Sequence, residues 1–155
     1  MNPLVLFAHW AGFSVWLGAQ LTFMIFGPAS RTMSLESWAN TWMTLAKVQR
    51  VIIAPAAAVA TVTGIMLTMA LANEHAEMGT SWLLIMQTAG VLAGLLALFI
   101  VTPLANRMAV LAARSLEKGE KDPLAERVRS RLALVGSIAG VLILVALYFS
   151  AAKPA

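Results

Sequence analysis

Four stretches of this chain contain no Asp, Glu, Lys or Arg: residues 1–30, 51–73, 78–106 and 132–152. Each is at least as long as the ~20 residues that a helix needs to cross the hydrocarbon core of a bilayer. A soluble domain carries charge on about a quarter of its residues. Here 12% of 155 residues are charged and 60% are hydrophobic. The expected fold class is all-α, an integral membrane four-helix up-down bundle forming one domain over residues 1–155, with the lipid bilayer as its first partner.

The first window is too long for a signal peptide and has no basic leading region, so it is expected to stay in the mature protein. The absence of cysteine excludes disulfides, thiolate metal sites and cysteine nucleophiles. A pI near 10.1 would ordinarily suggest nucleic acid, but the basic residues flank apolar windows, where orientation in the membrane explains them and no nucleic-acid partner is expected. Residues 31–50 carry a net charge of +2 and residues 107–131 a net of +3, whereas the connection 74–77 holds only Glu74, His75 and Glu77. The positive-inside rule puts the first and third connections in the cytoplasm and both termini outside, which for a bacterial inner membrane means the periplasm. Lys153 is the one dissenting charge.

The spans are expected at about 4–26, 51–71, 82–104 and 131–150, with cytoplasmic connections 28–50 and 105–130. Gly27-Pro28 should end the first helix. In "SLESWANTWMTLAKVQR", Leu35, Trp38, Trp42 and Leu45 recur at helical spacing, predicting a helix along the interface or one leading straight into the second span. Pro55 and Pro103 are expected to bend their helices, and Asn106–Leu116 to extend the third. "EKGEKDP" reads as a turn, with Asp122 as N-cap and Pro123 at the first helical position. Gly90/Gly94 and Gly136/Gly140 form two GxxxG pairs, which bring helix backbones close or leave room for a flat ligand.

The stretch "FAHWAGFSVWLGAQLTF" places an ionisable residue inside the first span. His9, Trp16 and Gln20 fall within about 40° of one another at ~100° per residue, one polar-aromatic stripe. A polar group in hydrocarbon needs a partner, so an intramembrane histidine is a functional candidate. Its plainer role, two turns from the span's outer end, is a hydrogen bond to headgroups or water, as for Trp10. Gln87 lies at a similar depth in the third span, and Met69 and Met86 fall in the same leaflet. These side chains are candidates to converge on His9, although methionines at helical spacing more often fill a core.

The order "HWAGFSVWLGAQLTF", "GPASR", Arg50 and "APAAAVATVTGIML" resembles the small membrane proteins grouped around the copper-resistance protein D family, which includes the HemJ-type protoporphyrinogen oxidases. The similarity covers the first two helices well, the third weakly and the fourth only in hydrophobicity. It implies that His9 is the residue linked to haem b and that Trp16 matches the tryptophan after it. In HemJ-type proteins the third helix supplies a lysine needed for function; Gln87 stands in its place here. The resemblance therefore speaks for haem or porphyrin binding more than for oxidase activity.

Three functions stay open. The first is binding of haem b or a porphyrin through His9, with Trp16, Gln20 and Gln87 beside it. One neutral imidazole suffices as an axial ligand, though the outer half of the spans offers no Arg or Lys for propionates. The second is copper handling by His9, Met69 and Met86, since Cu(I) favours soft sulfur and imidazole. The third is a non-catalytic subunit packing in a homo-oligomer or a larger membrane complex. Several enzyme classes lack their parts. No carboxylate lies within a span, no serine has a nearby His–Asp partner set, and there is no glycine-rich phosphate loop.

Overall fold

The structure, a computed structural model, describes residues 2–74 and 81–152; His75, Glu77 and Lys153 lie outside the described residues. It is all-helical, with no strand among the described residues. The helices are α1 (Pro3–Ala29), α2 (Leu35–Val48), α3 (Ala54–Glu74), α4 (Ser81–Leu96), α5 (Thr102–Lys118) and α6 (Pro123–Ala152). One π-helical turn, Gln49–Ile53, joins α2 to α3 and another, Ala97–Val101, joins α4 to α5, so the six form four long rods. All four are long and apolar enough to cross a membrane.

Local chemistry sets the ends. Asn2 Oδ1 accepts the Leu4 N–H at 2.9 Å with Pro3 at the first helical position. Gly27-Pro28 does not end the first helix as the sequence suggests. Pro28 sits in the last turn of α1, which tightens into a 3₁₀ turn at Ser30–Thr32, and the Ser30 hydroxyl donates to Gly27 O at 2.8 Å. Gly119 closes α5 at φ 75°, a conformation glycine adopts without cost. Asp122 Oδ1 then accepts the Leu124 N–H at 2.9 Å to start α6.

The two prolines act through the π turns. Proline has no N–H, and its ring clashes with the carbonyl four residues back. Just before Pro55 and Pro103 the ladder widens by one residue, with Ala54 N–H reaching Gln49 O and Thr102 N–H reaching Ala97 O. The wider turns are tied together: the buried Gln49 amide donates to Thr102 Oγ1 at 3.1 Å, and that hydroxyl donates to Ala97 O at 2.8 Å.

Two cores follow. Near the basic connections, α2 lies on α5 and the start of α6 around Trp38, Trp42, Met108, Leu111 and Val128. Most of what the sequence marks as connections, 28–50 and 105–130, is therefore packed helix. The second core, around Trp16, Ile53, Ala57, Ala60, Ala93 and Ile143, draws on every rod. There α1 is paired closely with α3 and α4 with α6, while α3–α4 and α1–α6 are looser. Large apolar side chains such as Phe7, Ile25, Phe99 and Leu134 point outward.

Some glycines are pressed against a neighbouring helix, whereas Gly18, Gly27, Gly90 and Gly119 face open space. A Cβ on Gly12 would stand 2.9 Å from Ala56 O and 3.1 Å from Ala60 N, both backbone. On Gly94 it would lie against the Thr61 hydroxyl, whereas on Gly90 it would meet nothing within 4 Å. Only half of the first GxxxG pair is thus a helix contact. Gly12→Ala is expected to destabilise the protein by about 1–3 kcal/mol, and Gly94→Leu similarly, while Gly90→Ala stays near the parent. Thermal unfolding of the three purified variants in detergent checks this, and an unaltered Gly12→Ala would refute the close backbone approach.

Candidate functional site

The site is built on the α1–α3 contact. Ala56, Ala60 and Gly64 recur every four residues on α3 and present a strip without bulk. Gly12 of α1 lies against Ala56 and Ala60, and one turn earlier His9 lies against Ala60 and Gly64. Small residues at this spacing let two helices meet where lipid gives no hydrophobic drive for association. A Cβ at Gly64 would be 3.0 Å from His9 Cε1, so the imidazole occupies the space that the glycine leaves.

His9 Nδ1 is 2.8 Å from Ala60 O. A carbonyl only accepts, so Nδ1 carries the proton. Thr63 Oγ1 lies 3.3 Å from the same nitrogen and donates its own proton to Val59 O, presenting a lone pair to the imidazole. The second ring nitrogen, Nε2, has no hydrogen-bond partner among the described residues. An anchored Nδ1–H with a free Nε2 is the arrangement in which histidines bind metals. Trp10 and Phe13 flank the ring, with centroids 6.2 and 6.4 Å away.

Two turns deeper on α1, Trp16 is 2% exposed, and its Nε1–H is buried without a hydrogen-bond partner. The Thr61 hydroxyl is in the same condition. Trp16 and His9 thus share a face, with the tryptophan closing the centre of the bundle beneath the histidine. Gln20 is spent elsewhere. Its buried Nε2 donates to Gly136 O of α6 at 2.8 Å, and its side chain lies along Gly136 and Gly140. The stripe consequently turns from α3 at His9 to α6 at Gln20.

The other sequence candidates are not gathered around His9. Gln87 and Met86 on α4 are half-buried, and no hydrogen bond joins Gln87 to His9 among the described residues. Met69 is 61% exposed and lies about 140° around α3 from Gly64 at ~100° per residue. Met69 thus points away from the face of α3 that meets His9. No group of three or more His, Asp or Glu side chains stands close enough to hold a metal ion among the described residues. Conversely, Ala60 O, Thr63 and Gly64 are the residues that position His9, and the four-residue spacing of Ala56, Ala60 and Gly64 was their signal in the sequence.

Because its amide is committed to α6, Gln20→Leu should cost only about 1 kcal/mol, the usual worth of an interhelical hydrogen bond in a membrane protein. Any His9-dependent absorbance should be unchanged in that variant. A spectrum that shifts in Gln20→Leu would put Gln20 at the ligand instead. No family model, curated protein or solved structure matches this chain, so the chemistry of the site is the ground on which a function can rest.

Proposed function

We propose that this chain is an integral membrane protein of a bacterial inner membrane, an up-down bundle of four spanning helices, that binds haem b or a related porphyrin through His9. The observation that supports it is the anchoring of His9 Nδ1–H on Ala60 O, which leaves Nε2 preoriented as a ligand atom. Two further features fit a flat macrocycle. The Trp16 indole N–H is buried and unpartnered, and the aromatic rings of Trp10 and Phe13 adjoin the imidazole.

When bound, the iron would supply one-electron redox chemistry. The chain's own part is to fix the imidazole tautomer, exclude water and offer an indole donor deeper in the bundle. The charge distribution supports termini on the outer side and the basic ends of α2 and α5 inside.

A second reading has its own observation. His9, Gly12 and Gln20 each meet a neighbouring helix, as they would in a packing subunit of a larger membrane complex with no cofactor. An absorbance spectrum of protein produced with ample haem separates the two. Haem binding gives a Soret band that His9→Ala removes and that added imidazole restores. Trp16→Phe should perturb the band without removing it, because the aromatic body stays and only the indole donor is lost. A colourless parent, or a band that survives His9→Ala, would leave the packing subunit standing.

Orientation is tested independently with reporter fusions. A fusion near Gly119 should be active only for a cytoplasmic reporter, and one after Lys153 only for a periplasmic reporter. The reverse pattern would invert the bundle and place His9 on the cytoplasmic side.

A further inference from the structure

At the basic end of the protein a cleft of about 280 Å³ opens between the end of α1, the start of α2, α5 and the start of α6. Its apolar floor is Trp38 and Met108, and Arg31, Lys121 and Arg129 reach it from three separate segments. Two carboxylates also line it, but both are committed. Glu126 makes a two-point ion pair with Arg129, whose side chain is 7% exposed. Asp122 accepts the Leu124 N–H and lies 4.0 Å from Lys118. Arg31 and Lys121 have no carboxylate within 4.0 Å among the described residues. Lys121 Nζ instead stands 5.5 Å above the Trp38 ring.

The field of these cations is felt in the cleft. The Arg129 hydrogen bond, with the nearby charges of Arg31 and Lys121, holds the Glu126 carboxyl below its ordinary range. Arg31 follows directly on the apolar run of α1. The cleft thus lies at the charged end of that run, with two cations that have no carboxylate within 4.0 Å over an apolar wall.

We propose that this cleft binds the phosphate of an anionic phospholipid headgroup between Arg31 and Lys121, with the glycerol end against Trp38. The inference rests on the membrane reading and is independent of haem. Basic clefts at the cytoplasmic ends of spanning helices suit such headgroups, and a headgroup there would tie the α1 end to the α6 start.

The test uses the full-length protein, purified in a neutral maltoside and stripped of native lipid. Binding of dihexanoyl phosphatidylglycerol, dihexanoyl phosphatidylcholine and inorganic phosphate is read by thermal shift and by native mass spectrometry. Phosphatidylglycerol should stabilise the protein and stay bound, with the other two probes much weaker. The double variant Arg31→Gln/Lys121→Gln should lose about tenfold or more in affinity, and Arg31→Gln alone should lose part of it. Arg107→Gln/Arg114→Gln, which removes two exposed cations outside the cleft, should bind as the parent does. Equal binding by the cleft variant, or equal loss in the control, would overturn the proposal. Inorganic phosphate binding as tightly as the lipid would overturn the lipid assignment in favour of a soluble phosphate. Failure of the membrane reading is separable, because the reporter fusions would then give no consistent topology.

Discussion

Three polar side chains that join these helices are held by the main chain of a neighbouring rod or by a group that leads to it. His9 donates to Ala60 O, Gln20 to Gly136 O, and Gln49 to Thr102, whose hydroxyl goes on to Ala97 O. The cause is the solvent. Hydrocarbon offers no hydrogen bond, and a helix carbonyl with one lone pair already used is the nearest acceptor with capacity to spare. Reaching it requires small residues at the crossing, and that is where Gly12, Gly64, Gly136 and Gly140 stand. For His9 and Gln20 the polar group and the glycines are one constraint, since each packs against a glycine of the helix whose carbonyl it reaches.

The π turns belong to the same accounting. A proline within a rod leaves a carbonyl without its N–H, and a widened turn redistributes the ladder around the gap. Placed just before Pro55 and Pro103, the two widened turns come side by side, and Gln49–Thr102 bridges them at the junction between the two cores. The lobe built from α2, α5 and the start of α6 can therefore carry charge and tryptophan on the same rods whose other halves are free of charge.

What could be read in the sequence follows from where it carries contrast. The four apolar windows, the Gly119 turn and the Asp122–Pro123 helix start all sit at sharp changes of residue type, and the structure has helices, a left-handed glycine and a cap at those places. Inside the windows the contrast vanishes. A helix that is apolar on every side has no direction of its own, so nothing in the pattern told that Met69 faces outward, that Gly94 touches Thr61 while Gly90 touches nothing, or that Gln20 turns to α6 and His9 to α3. Gly27-Pro28 misled for a different reason. A proline in a final turn removes a hydrogen bond at a point where the ladder is ending, so the helix runs on past it at little cost.

The choice of histidine at position 9 has to be weighed against what the α1–α3 contact alone requires. That contact needs one donor aimed at Ala60 O in the space left by Gly64, and a hydroxyl side chain would supply a donor without a second polar atom. Gln20 does the equivalent work at Gly136 with an uncharged amide. Histidine brings an extra nitrogen, Nε2, that this contact does not use. With Nδ1–H anchored, that nitrogen lies on the same face as the unpartnered Trp16 indole and beside the rings of Trp10 and Phe13. The proposed ligand role rests on that surplus atom, which the packing contact leaves unused and the Nδ1 hydrogen bond orients.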